Sequence, residues 1–219
     1  MSKEHLENTV FKIPANLSDI EASFTEPAAC CLRAVKRANV KLGDKVFIIG
    51  LGSIGLIMGQ IAKHCGAEVS GCDLIEERLA LAENLQFDNA LKFTKIEETS
   101  ISYKSKNNYI GADIVFLTAG SLSSLPLALA CVRDGGTIVV FSSVASSAGV
   151  FSNNDIYYRE LTVMGSYSPS PKDLCEALEL IKNNVIKVDK FTKIYALDKI
   201  NEAIEDTSSS KIIKAYIQI

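Results

Sequence analysis

Lys45-Val46-Phe47-Ile48-Ile49-Gly50-Leu51-Gly52-Ser53-Ile54-Gly55, running on through Leu56–Gly66 to Glu68-Val69-Ser70-Gly71-Cys72-Asp73, is the stretch whose reading decides the fold. Lys45–Gly50 is a short apolar strand. Ile54–Cys65 carries helical periodicity, and Gly66 supplies its C-terminal stop. Glu68–Asp73 is a second strand. Between strand and helix lies G-x-G-x-x-G. Its first glycine permits a tight turn, its second lets backbone approach a pyrophosphate, and its third lets the helix pack close to the strand. The helix start offers free N–H groups to phosphate. Asp73 follows Gly55 by 18 residues, inside the window for a carboxylate that hydrogen-bonds a ribose 2′-hydroxyl. A carboxylate there repels a 2′-phosphate, so the pattern favours NAD over NADP. Gly50, Gly52, Ser53, Ile54, Gly55, Asp73 and Leu74 are the cofactor-binding candidates of this stretch. The alternative is a glycine turn in a ligand-free sheet, with Asp73 only capping the next helix.

Outward from this unit the alternation continues. Ile75–Leu85 reads as a helix and Asp88–Phe93 as a weaker strand, while residues 94–110 are polar and give no assignment. Ile114–Thr118 is a strand, Ser123–Val132 a helix, Thr137–Phe141 and Leu161–Gly165 two further strands, and Pro171–Asn183 a helix. A strand near Phe191–Ala196, a helix near Leu197–Asp206 and a strand Ile212–Ile219 complete the chain. Upstream, residues 1–17 read as extended, Ser18-Asp19-Ile20-Glu21 is a capping box, and a helix runs from Pro27 to about Asn39. Short apolar strands alternating with amphipathic helices specify an α/β fold: a Rossmann doubly wound six-stranded parallel sheet with helices on both faces, plus short flanking strands.

Composition narrows the function classes. Net charge is −3 from 23 basic and 26 acidic residues, which argues against nucleic-acid binding. The uncharged runs Val46–Ala62, Ile114–Val132 and Gly135–Asn154 are broken by glycine, Pro126 and serine, the pattern of buried strands rather than membrane spans. The charged start Met1-Ser2-Lys3-Glu4 carries no export signal. Six cysteines without a C-x-x-C pair, and His5 and His64 as the histidines, give no zinc-site spacing. The cysteines read as reduced core residues of a cytoplasmic protein, and His64 as a cation at a helix C-terminus.

Two rival chemistries share some of these letters. A methyltransferase glycine loop usually has an acid before its first glycine, where Ile49 stands. Tyr195-Ala196-Leu197-Asp198-Lys199 spells the tetrad of short-chain dehydrogenases, but lies beyond the sixth strand, too late in the chain.

The flanks Phe11-Lys12-Ile13-Pro14-Ala15-Asn16-Leu17-Ser18, Glu26-Pro27-Ala28-Ala29-Cys30, Ala34-Val35-Lys36-Arg37-Ala38 and Gly43-Asp44-Lys45-Val46 resemble the medium-chain dehydrogenase/reductase family. The likeness is closest to its zinc-dependent polyol branch, of the sorbitol, threonine and sugar-phosphate dehydrogenase type. Asp73 with Glu77-Arg78-Leu79-Ala80, Leu161–Ser166 and Ala177–Ile181 resemble later segments of that branch. The resemblance implies NAD as cofactor and places Thr118-Ala119-Gly120 along the nicotinamide and ribose side. It adds Phe141-Ser142 and Gly165-Ser166 at strand ends, where open α/β sheets bind ligands. Arg78 is expected to stack on adenine, or to pair with Glu77 or Glu83. Glu26 is the single match to the family's zinc shell, and is otherwise a carboxylate at a helix start.

No catalytic residue is identified. The family's zinc-bearing Gly-His-Glu segment does not occur in the chain, so zinc is implied only where a separate catalytic domain or chain supplies its ligands. The implied domains are 1–26 (catalytic-domain remnant and linker), 27–184 (dinucleotide-binding) and 185–219 (C-terminal strand-helix-strand). Three readings stay open: the coenzyme-binding portion of a polyol dehydrogenase, a stand-alone NAD(H)-binding module, and a truncated product without catalysis. The resemblance also implies a homodimer through Leu161–Gly165.

Overall fold

The computed structural model describes residues 10–143 and 151–219. The start of the extended segment expected over 1–17, and the part of the Gly135–Asn154 run at 144–150, lie outside the described residues. By internal contacts the chain forms two compact units, Cys30–Ser168 and Met1–Ala29 with Pro169–Ile219.

The first unit holds six strands: Lys45–Ile49 (β1), Glu68–Asp73 (β2), Asn89–Lys92 (β3), Ala112–Leu117 (β4), Val132–Val140 (β5) and Thr162–Gly165 (β6). They pair in the order β3-β2-β1-β4-β5-β6, every pair parallel. The chain leaves β1 toward β2 on one side and returns to place β4 on the other. The carboxyl ends of β1 and β4 therefore diverge into a crevice, the position where such sheets bind ligands.

Burial on both faces explains the unbroken apolar strands. Alternation along β1 sends Phe47 and Ile49 to one face. There they join Tyr103 of Ile96–Ser105 (α5) and Leu127, Ala128 and Cys131 of Ser124–Cys131 (α6). Ser53–His64 (α3) lies over β1 and β2, with Leu56, Ile57, Met58 and Ile61 buried. Its close approach needs small residues: a Cβ on Gly59 would stand 2.0 Å from the Phe87 ring. Glu76–Asn84 (α4) packs on β2 and β3. α5 fills the span where the sequence gives no assignment. Asn153–Arg159 (α7) is a further helix that sequence reasoning missed. It is short and buries none of its residues, so it has no apolar stripe to read.

The second unit begins with Asp19–Ser23 (α1), which carries the expected capping box. Thr25–Arg37 (α2), whose residues from Cys30 onward belong to the first unit, starts two residues before the expected Pro27. Pro171–Lys182 (α8) buries Ala177, Leu178 and Ile181 behind a second capping box of Ser170 and Asp173. Thr192–Ala196 (β7) and Lys214–Gln218 (β8) form a parallel two-stranded sheet, joined through Ile200–Ser208 (α9). Phe24 meets Phe191 edge-on at 5.8 Å.

The six cysteines are free. Cys31, Cys72 and Cys131 are core residues, and burial pushes the Cys131 thiol up to about 12. Cys175 is exposed, which corrects the core assignment for that residue.

Asp206 on α9 is the polar hub of the second unit. It accepts from Lys211 Nζ at 2.8 Å, Tyr195 Oη at 2.6 Å and Lys193 Nζ at 3.2 Å. Lys211, the Tyr195 hydroxyl and Lys193 hold its carboxyl well below the ordinary 3.8. A depressed carboxylate pKa stabilises the folded state above the unfolded pKa, and that contribution is lost as pH falls toward the folded value. Asp206→Asn should therefore lower the urea midpoint at pH 7, with the gap to wild type narrowing below about pH 4. A gap unchanged from pH 7 to pH 3 contradicts this assignment.

Candidate functional site

At the carboxyl end of β1 the chain must turn sharply into α3, and three glycines do this in different ways. Gly50 sits at φ +98°, where L side chains are strained, and a Cβ there would meet Ala119 Cβ at 2.8 Å. A Cβ on Gly55 would stand 2.0 Å from the Gly50 carbonyl oxygen. A Cβ on Gly52 meets no protein atom within 4 Å. Gly50 and Gly55 are thus glycines for the protein's own packing, while Gly52 fronts open space. It is also the N-cap of α3, and as a glycine it offers no side chain to cap that helix start. Ser53 and Ile54 open the helix beside it.

Neighbouring strands brace this loop. Gly50 N–H donates to Cys72 O at 2.9 Å. Thr118 Oγ1 lies 2.7 Å from Gly50 O and 3.0 Å from Ile49 O, and the N–H groups of Thr118 and Ala119 both donate to Ile49 O. Thr118 is a strut between β4 and the glycine loop, while Ala119 faces the crevice. A Cβ on Gly120 would come within 2.7 Å of Ser143 O, so only glycine passes there without displacing backbone.

Asp73 closes β2 and is 8% exposed. Its Oδ2 accepts from the Leu51 N–H at 2.7 Å and faces Arg78 Nη1 at 3.3 Å, while its Oδ1 accepts from the Ile75 N–H at 3.1 Å. The carboxylate therefore both caps the following turn and reaches back to the glycine loop. Arg78 pairs with Asp73, which corrects the expected pairing with Glu77 or Glu83.

Asp73, Leu74, Arg78, Gly50 and Ala119 line one cleft of about 190 Å³. Its far wall is a serine cluster that sequence reasoning missed. Ser121 Oγ lies 2.7 Å from Ser124 Oγ and 3.1 Å from Ser123 Oγ, and all three serines line the cleft. The signal was available in Ser121-Leu122-Ser123-Ser124, directly after Thr118-Ala119-Gly120 at the start of α6. Cys72 lies on the cleft wall, and burial raises its thiol, keeping it protonated.

Phe141 and Ser142 follow β5, where the Phe141 N–H donates to Leu117 O, and Gly165 and Ser166 end β6 and follow it, where the Ser166 N–H donates to Val140 O. Among the described residues, the hydroxyl oxygens of Ser142 and Ser166 are buried without a hydrogen-bond partner. Buried polar atoms are nearly always paired, so both stand out as unsatisfied groups at the strand ends.

These features fit a dinucleotide. An uncapped helix start suits phosphate, open space stands in front of Gly52, a buried carboxylate ends β2 beside the loop, and unsatisfied hydroxyls remain at the carboxyl edge. Zinc is different: among the described residues no three His, Cys, Asp or Glu side chains converge to hold a metal. Glu26 is exposed in the first turn of α2, within the other unit. The described residues therefore do not fit zinc. Among the described residues no helix is long and apolar enough to cross a membrane.

Residues 53–183 match the family described as zinc-binding dehydrogenase. The chain is 30% identical to a D-arabitol-phosphate dehydrogenase of Enterococcus avium, over 97% of this chain and 61% of that protein. A structure described as a zinc-binding dehydrogenase of Sinorhizobium meliloti 1021, bound to NADP, superposes at TM-score 0.84 with 26% identity, covering 95% of this chain and 62% of that one. The acetophenone reductase of Geotrichum candidum in complex with NAD superposes at TM-score 0.80 with 25% identity, covering 95% and 58%. The chain thus spans about three fifths of the length of the relatives it matches.

Proposed function

Because this chain belongs to the zinc-binding dehydrogenase family, we propose that its six-stranded unit is the NAD(H)-binding portion of an alcohol or polyol dehydrogenase. Completed by a zinc-bearing catalytic domain, it transfers hydride between NAD and a secondary alcohol of a polyol or sugar. The observation that carries this reading is the conjunction at one crevice of an uncapped helix start, open space before Gly52 and the buried Asp73 carboxylate.

Each part has a task. The start of α3 holds the diphosphate through backbone N–H groups and the helix dipole. Asp73 accepts from the adenosine ribose, and its charge disfavours a 2′-phosphate. Leu74, Arg78, Ala119 and the serine cluster shape the adenosine end. Ser142 and Ser166, with Phe141 and Gly165, face the nicotinamide end. Bound NAD supplies the hydride acceptor. The zinc ligands belong to a domain or partner chain outside these residues, and the protein works in the cytoplasm.

Calorimetric titration with NAD⁺, NADH and NADP⁺ tests the cofactor assignment on wild type and on Asp73→Ser. NAD(H) should bind in preference to NADP⁺. The substitution should weaken NADH about tenfold or more, as expected for one charge-assisted hydrogen bond. Equal binding of NADP⁺ by wild type overturns the NAD preference, and binding of no dinucleotide overturns the site.

The homodimer is proposed through β6. Among the described residues this strand ends the sheet order and pairs with β5 alone, leaving a row of backbone groups for a symmetry mate. Exposed Tyr157, Tyr158 and Tyr167 flank it in sequence. Sedimentation at micromolar concentration should give twice the chain mass, and a monomer there contradicts the assignment.

A further inference from the structure

We infer that Asp73 is also a positioning residue for the diphosphate, acting through the Leu51 N–H that its carboxylate holds at 2.7 Å, an inference that rests on the dinucleotide reading above. Leu51 is the residue between the first two glycines of the loop, and its side chain is fully buried. Its N–H donates to Asp73 and so fixes the Gly50–Leu51 peptide at the start of the loop. That bond spans 22 residues and ties the end of β2 to the phosphate loop.

The same carboxylate accepts from the Ile75 N–H and pairs with Arg78. A carboxylate offers about four acceptor positions, so roughly one remains for a ribose hydroxyl. Asp73 consequently has two separable duties. The free acceptor position reads the ribose, and the Leu51 bond keeps the backbone around Gly52 in the geometry that receives phosphate. A loop containing Gly50 and Gly52 is conformationally loose. Without this bond it must be ordered when ligand binds, and affinity falls by that ordering cost.

The duties separate when ligand and protein are varied together, using ADP and 2′-deoxy-ADP as calorimetric probes on wild type, Asp73→Ala and Asp73→Asn. If Asp73 served only the ribose 2′-hydroxyl, removing that group would make wild type and Asp73→Ala equivalent. The positioning role instead requires Asp73→Ala to bind 2′-deoxy-ADP about tenfold more weakly than wild type, the loss expected for a buried charge-assisted hydrogen bond. Asp73→Asn keeps an amide oxygen for the Leu51 N–H and should recover most of that loss.

Equal binding of 2′-deoxy-ADP by wild type and Asp73→Ala overturns the inference. So does an asparagine variant as weak as the alanine variant, which would assign the effect to charge alone. Amide hydrogen exchange at Leu51, measured without nucleotide, gives an independent readout. Protection in wild type and Asp73→Asn with loss in Asp73→Ala supports the strut, and unchanged protection contradicts it. Failure of wild type to bind either nucleotide defeats the dinucleotide reading instead, and leaves the exchange result to decide the strut.

Discussion

Gly52→Ala should leave the fold intact and weaken dinucleotide binding about 100-fold or more, whereas Gly55→Ala should damage both. The two glycines are three residues apart in one loop, yet they face different surroundings. A methyl group on Gly52 meets no protein atom within 4 Å, so the apoprotein has room for it. An alanine N-cap is slightly poorer than glycine, and the urea midpoint should report a change within about 1 kcal/mol. The space that methyl enters is where the diphosphate approaches the backbone. Displacing phosphate from two N–H groups forfeits two charge-assisted hydrogen bonds, about 3 kcal/mol together, or a loss of about 100-fold or more in NADH affinity. At Gly55 the obstacle is the Gly50 carbonyl oxygen at 2.0 Å, a backbone atom that Thr118 also grips. It cannot rotate aside, so the first turn of α3 must lift from β1. Overpacking of this kind destabilises by about 1–3 kcal/mol and distorts the phosphate cradle as well. Wild-type NADH affinity in Gly52→Ala would place the diphosphate elsewhere and remove the main support for the proposed site.

The glycine loop and Asp73 were legible because their signals are local. Strand, turn, helix, strand and acid fall within residues 45–73, and each letter states its own backbone requirement. The alternation of strands and helices likewise determined the sheet, since apolar strands of this length are stable only when covered on both faces. The braces of the site were not legible in that way. Thr118 reaches Gly50 across 68 residues, and a threonine after a strand does not announce its acceptor. Arg78 stands on a helix beside Glu77 and near Glu83, so helical spacing points to those partners. The observed partner, Asp73, precedes the helix and becomes available only once the turn folds back. The serine cluster was passed over for a related reason: serines after a strand ordinarily form turns, and only β2 and its following turn, arriving opposite, make them a cleft wall.

Phe47→Ala should cost a large share of the domain's stability, and it bears on residues 94–110, which the sequence does not assign. Phe47 is fully buried on β1, a strand flanked on both sides by β2 and β4. Its ring lies 4.3 Å from the Tyr103 ring, tilted by 33°. Tyr103 belongs to α5, whose buried face consists of Thr99, Ser100 and Tyr103. None of these counts as a strong apolar letter, so the periodicity that reveals other helices is absent over 94–110. α5 is held by what it packs against, and Phe47 is a principal part of that surface. Removing the ring leaves a cavity beneath Tyr103 and should destabilise by about 3–5 kcal/mol, a large share of the 5–15 kcal/mol typical of a whole domain. With a urea slope of about 2 kcal/mol per molar, the midpoint should fall by about 2 M. Amide exchange should accelerate in α5 more than in α3, because α3 lies outside the Phe47–Tyr103 core cluster. Phe47→Leu, which retains most of the apolar volume, should lose less than half as much. A midpoint shift under 0.5 M, or α5 amides as protected as in wild type, would mean that α5 is anchored by other contacts and that the Phe47–Tyr103 stack is incidental to its place on the sheet.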